Sequence, residues 1–143
     1  MPLPFLVTCS VPAVKLYELT DGRFQLIEQG PIAPLMIGYR YVLVEEGLAK
    51  FLQSLPLERI RYENVTLFNR GTAEEVRTHI RIRVGQFFEA SQIQDIALSG
   101  LRILTMNDEY IFVSPELKRE LEASGFKYLR FSEGLSGFAA SAA

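Results

Sequence analysis

The sequence predicts a single α+β domain with a mixed, mainly antiparallel sheet, and three observations carry that expectation. A strand-helix-strand pattern over about residues 41–62 recurs over about 110–131. An aspartate and a glycine, Asp21 and Gly22, split two alternating runs into a hairpin near the amino terminus. Short β-branched and aromatic runs, bounded by turn residues, fill most of the remaining chain.

The recurrence is the strongest of the three. Displacing Tyr41 onto Tyr110 with no gap also aligns Val44 with Val113, Leu48 with Leu117, Leu52 with Leu121, Leu57 with Phe126, Ile60 with Leu129, and Tyr62 with Phe131. In the first copy Leu48, Phe51, Leu52 and Leu55 fall on one helical face. In the second, Ser114 is placed to cap a helix and Pro115 to start it, with Glu116 and Glu120 complementing its dipole. Gly125 follows where a left-handed residue ends such a helix. Residues 57–62 and 126–131 alternate and read as the second strand of each unit. Neither unit buries its helix face alone, so the two are expected to pack on a shared sheet.

Along the rest of the chain, Pro2, Pro4 and Pro12 make residues 1–13 an extended segment or an edge strand. Residues 30–38, which include Pro31 and Pro34, read as a punctuated connection. Residues 65–68 continue the preceding strand, and Asn69 to Thr72 form a turn. Residues 75–84 have the cleanest alternation: Val76, Thr78, Ile80, Ile82 and Val84 share one face, while Arg77, His79, Arg81 and Arg83 share a wet, cationic one. Residues 85–100 fit either a short helix or two strands. Residues 101–106 read as a strand, with Asn107 and Asp108 turning it into the second unit. The domain is expected to span 1–133, leaving 134–143 as a flexible tail rich in glycine, serine and alanine.

Composition narrows the function. Fifteen basic and seventeen acidic side chains give a formal charge of -2, too near neutral to argue for nucleic acid or an anionic membrane as a general partner. One cysteine, Cys9, and one histidine, His79, preclude an internal disulfide and a zinc site of the usual kind. Charges interrupt every apolar run, so no membrane partner is expected, and a cytoplasmic location is. Leu6 to Cys9 faintly resembles a lipoprotein cleavage site, but too few residues precede the cysteine for a signal core. Phosphate loops, nucleophile elbows and metal-binding helix motifs are absent from the sequence, so no catalytic residue, cofactor or metal is assigned.

Two charged patches are the candidate partner-binding residues. Arg77, His79, Arg81 and Arg83 form a row suited to carboxylate or phosphate, because guanidinium donates in a planar fork. Glu58, Glu63, Glu74 and Glu75 lie near enough to neutralise that row as cross-strand pairs. Asp108, Glu116 and Glu120 form the second patch, which reads either as a solvated helix face or as a dock for a basic partner. His79 lacks an adjacent nucleophile, and Cys9 reads as a buried or partly buried thiol.

The second unit and its lead-in, GLRILTMNDEYIFVSPELKRELEASGFKYLRF, resemble the carboxy-terminal end of bacterial polymorphic-toxin immunity proteins, specifically the immunity family numbered eleven. The resemblance rests on Phe112-Val113-Ser114-Pro115, Leu117, Leu121, Gly125 and Phe131. Residues 42–65 are similar to an earlier element of that family. The resemblance implies a non-enzymatic cytoplasmic protein that binds and neutralises a cognate protein toxin. The alternative is a nucleic-acid or phosphate-ligand binding domain using the arginine stripe. Oligomeric state is left open by either reading.

Overall fold

The computed structural model describes residues 2–138 and shows an α+β fold in which twelve strands and two full helices are followed by helical residues 136–138. The second unit begins with a hairpin of β10 (Ile103–Met106) and β11 (Tyr110–Val113), turned by Asn107 and Asp108, both in the left-handed region at φ 61 and 55. Helix α2 (Pro115–Ala123) and strand β12 (Leu129–Glu133) follow. The first unit repeats this plan with β4 (Leu35–Gly38), β5 (Tyr41–Glu45), α1 (Glu46–Gln53) and β6 (Ile60–Asn64). Repeated anchors occupy repeated places: Leu48 and Leu117, Leu52 and Leu121, and Val44 and Val113 are all buried.

In both units the helix carries the chain past one strand position, leaving a gap in the sheet. Strand β9 (His79–Val84) fills the first gap, antiparallel to both β5 and β6. The second is filled from the other end of the chain by β1 (Phe5–Cys9), antiparallel to both β11 and β12. The sheets therefore run β4-β5-β9-β6 and β10-β11-β1-β12. This corrects two expectations. The units build separate sheets, and the amino-terminal segment is an interior strand. Pro2, Pro4 and Pro12 lie outside residues 5–9, so every amide of β1 remains available to a ladder.

A third sheet, β2-β3-β7-β8, contains the expected hairpin of β2 (Leu16–Glu18) and β3 (Phe24–Leu26), with Gly22 at φ 91 in its turn. Its other strands are β7 (Leu67–Asn69) and β8 (Glu74–Val76), joined by the expected turn, in which Asn69 accepts from the Gly71 and Thr72 amides. The run expected as one strand over 75–84 is thus divided. Glu75 and Val76 belong to β8, and the chain crosses to another sheet at Arg77 and Thr78.

Alternation along the strands partitions the core. Val42, Val44, Ile82 and Val84 from one sheet meet Val7, Ile103, Ile111 and Val113 from another, with Leu48 and Leu52 of α1 and Leu117 and Leu121 of α2 among them. At roughly 25 cal/mol per Å2 of apolar surface removed from water, this shared cluster is the main stabilising feature. The opposite face of the first sheet presents Met36, Tyr41 and Leu43 to Leu16, Phe24 and Leu67 of the third. The opposite face of the second presents Leu6, Leu104 and Phe112 to Phe88 and Leu98, with Ile93, Ile96, Leu135 and Phe138 packed against them. Residues 85–100 therefore form a cover containing one 3-10 turn, Ala90–Gln92, instead of a regular helix or strand pair. Residues 134–138 likewise depart from the expected tail, since the Phe138 ring lies 4.8 Å from that of Tyr110. Residues 139–143 lie outside the described residues.

Ser114 ties the second unit together. Its fully buried hydroxyl accepts from the amides of Leu117 (3.3 Å) and Arg102 (2.9 Å) and donates to the Gly100 carbonyl (2.7 Å). Ser114→Ala is expected to destabilise the fold by about 2–3 kcal/mol, because two buried amides and a carbonyl lose their partner together. A urea titration measures this, and a loss below about 0.5 kcal/mol would contradict it.

Burial is the main cause holding the Tyr41, Tyr62 and Tyr128 hydroxyls above the usual tyrosine range, and Glu45 adds to it at Tyr128. A raised folded-state pKa of an acid favours its neutral form. This contribution is therefore complete below about pH 10 and is lost as pH rises above it. Melting temperature is expected to fall as pH rises from about 10 to about 12, and a flat profile there would contradict the assignment.

Candidate functional site: an arginine-rimmed groove

Strand β9 begins beneath the third sheet and emerges from it, and the two halves of the cationic stripe have different fates. His79 is buried, not solvated: Nε2–H donates to the Ala33 carbonyl at 2.8 Å, and Nδ1 lies 2.9 Å from the Thr78 hydroxyl. A carbonyl only accepts, so Nε2 carries a proton, while Nδ1 shares a hydrogen bond with the Thr78 hydroxyl, which serves as donor or acceptor. Both nitrogens are engaged, so His79 is structural here.

Arg81 is also buried, with its side chain 7% exposed. It donates to Glu18 at 2.8 Å and to the Arg40 carbonyl at 2.7 Å, and its guanidinium lies 5.3 Å from the Phe24 ring centroid. A buried cation deprived of its partner costs about 3–5 kcal/mol, so Arg81 first of all locks the third sheet onto the first. Arg77 lies off the strand, exposed and paired with Glu75 at 2.7 Å. Arg83, at the open end, pairs with Glu63 on the sheet surface. Such exposed pairs are worth less than about 1 kcal/mol, so Glu63 is easily displaced.

Beyond the edge of the third sheet lies a groove of about 610 Å3. Arg40, Arg59, Arg61, Arg81 and Arg83 line it, against two acids, Glu18 and Asp108. Among the described residues, the guanidinium groups of Arg40, Arg59 and Arg61 have no ion-pair partner. Arg61 and Arg83 stand directly opposite one another on β6 and β9, where like charges repel. Arg40 and Arg59 have left-handed backbones, at φ 61 and 57. For a residue with a Cβ that conformation costs about 1–2 kcal/mol, and such strain concentrates at functional sites.

The groove opens where β9 runs past its own sheet and meets β10. Past Val84 the chain pairs with β10 in parallel, with the Phe88 amide bonded to the Thr105 carbonyl and the Thr105 amide to that of Gln86. Val42, Ile82, Val84 and Ile111 reach the groove from the shared core, and Phe87 stands at its margin, 61% exposed. The rim is therefore cationic and the floor apolar.

Of the residues selected from sequence, Arg81, Arg83 and Asp108 meet at this groove, and His79 and Arg77 do not line it. Glu116 and Glu120 lie elsewhere, exposed on α2, so the acidic patch divides. Arg40 falls between the connection over 30–38 and the strand that starts at Tyr41, and Arg59 and Arg61 fall in the alternating run over 57–62; none of the three is among the residues selected from sequence. The alternation around Ile60 was the available signal for Arg61, whereas nothing local marks Arg40 as facing β9.

An apolar groove of about 430 Å3 occupies the equivalent crossing of the other unit, where β1 meets β4. It is lined by Leu6, Val7, Leu35, Ile37 and the half-buried Cys9, with Tyr110 and Phe138. Among the described residues, no three His, Cys, Asp or Glu side chains gather as a metal-binding group. No helix there is long and apolar enough to cross a membrane. Comparison with protein-family models, curated proteins and solved structures finds no match to this chain.

Arg59→Gly is expected to stabilise the free protein by about 0.5–1 kcal/mol, because glycine adopts the left-handed region without strain. Equilibrium unfolding in urea tests this, and a loss of stability would mean that the Arg59 side chain contributes contacts worth more than its strain.

Proposed function

We propose that the protein is a non-enzymatic binding protein of the toxin-immunity kind, cytoplasmic, which takes an acidic segment of a cognate toxin in the arginine-rimmed groove. The observation that carries this reading is that Arg61, opposite the Glu63-paired Arg83, and its neighbours Arg40 and Arg59 have no ion-pair partner among the described residues, in a chain whose net charge is -2. An anionic partner supplies planar two-point acceptors to these guanidinium groups. Charge complementarity then speeds encounter, while a few desolvated side chains at the centre supply affinity. Holding a toxin by such a segment blocks or distorts its active site without chemistry by the inhibitor. The similarity of residues 100–131 to the immunity family supports the same reading.

A second reading, a phosphate-ligand or single-stranded nucleic-acid domain, is favoured by the exposed Phe87 beside the arginines, an arrangement on which bases stack. Glu18 and Asp108 in the same groove disfavour a continuous phosphodiester backbone.

Affinity capture from the source cells at physiological salt separates these readings. Wild-type protein is expected to retain a protein that survives nuclease treatment, arrests growth when expressed alone, and is harmless when co-expressed. The Arg61→Glu, Arg83→Glu double variant is expected to weaken that complex at least about a hundredfold. Captured material that disappears on nuclease treatment, or a captured protein without effect on growth, would overturn the proposal.

A further inference from the structure

The floor of the groove contains a feature that the arginines do not explain. Thr105 lies on the core-facing side of β10, opposite Ile111 and on the same face as Ile103, where alternation calls for an apolar side chain. It is 2% exposed, and its Oγ1 has no hydrogen-bond partner among the described residues although both its backbone groups are bonded. A buried hydroxyl without a partner is destabilising, and valine has nearly the same shape without that defect. Thr105 lines the same groove as Arg61 and Arg83, with its Oγ1 buried beneath the surface. One rotation about χ1 exchanges the hydroxyl with the methyl group.

Resting on the reading of this groove as the partner surface, we infer that its ligand is a peptide segment with an apolar side chain flanked by carboxylates. The apolar side chain sits on Val84 and Ile111, between β9 and β10, where Phe87 closes over it. The carboxylates meet Arg59, Arg61 and Arg83. The Thr105 hydroxyl donates to a carbonyl or carboxylate oxygen of the same segment, so the anchor is read by its depth as well as its charge. Acid alone leaves the floor unused, and an apolar side chain alone leaves the rim unneutralised.

The test uses a fluorescent oligoglutamate peptide, the same peptide with one central phenylalanine, and a short oligothymidylate. The anchored peptide is expected to bind at least about tenfold more tightly than the acid-only one, the difference that burial of one large apolar side chain provides. Thr105→Val is expected to raise the melting temperature by about 3 °C while weakening the anchored peptide about tenfold, opposite signs that a merely structural threonine does not give. A lower melting temperature for Thr105→Val, or unchanged peptide binding, overturns the inference. Equal binding of the two peptides, lost in Arg61→Glu, overturns it while leaving the acidic-partner reading standing. Tighter binding of oligothymidylate than of either peptide, or no effect of Arg61→Glu on any probe, overturns both.

Discussion

A crossover helix sets two parallel strands two positions apart, and the space between them, about two strand spacings of roughly 4.8 Å, cannot be left empty. Everything else in this fold follows from how that gap is filled twice. In one unit the filler is β9, which follows β6 after an excursion through the third sheet; in the other it is β1, drawn from the opposite end of the chain. The two helices then face a common core that neither unit could bury alone. The amino-terminal strand becomes as central as any in the molecule.

Each filler strand also crosses the hairpin of the other unit, β9 at β10 and β1 at β4, and a groove opens at each crossing. One groove is apolar and includes Phe138 from the carboxy-terminal segment in its lining. The other gathers features that local stability disfavours: left-handed arginines at positions 40 and 59, a like-charge pair across β6 and β9, and an unbonded threonine hydroxyl. Sequences usually agree with their fold at every level, and departures concentrate where something other than folding is selected. Departures of the same kinds lie elsewhere too, Ala73 at φ 61 and the unbonded buried hydroxyls of Tyr62 and Tyr128, but only this groove brings several of them together while its counterpart has none, and that convergence supports the proposal of a site at β9 and β10.

Much of the frame was legible from residues alone. The repeated anchors located both helices, Ser114 and Gly125 marked the ends of the second, and Asp21-Gly22 and Asn107-Asp108 marked two hairpins, because each of these signals is local. What was missed is non-local. Nothing near Phe5 indicates that β1 pairs with residues more than a hundred positions away, and the prolines around it suggested an edge. The alternation from Glu75 to Val84 is real but spans two sheets, since a period of two is indifferent to which partner a strand finds. Burial of His79 and Arg81 could not be read for the same reason: Arg81 is held by Glu18 of the third sheet and His79 by the carbonyl of Ala33, both far away in the chain. Arginine at alternate positions signals a shared face, and only the fold decides whether that face is wet.

The most direct measurement is the structure of the complex with the captured partner. Acidic side chains of the partner seated against Arg59, Arg61 and Arg83, with an apolar side chain between β9 and β10, are the result predicted. A partner bound instead along the exposed face of α2, at Glu116 and Glu120, with the arginine groove left in contact with solvent, would contradict the account.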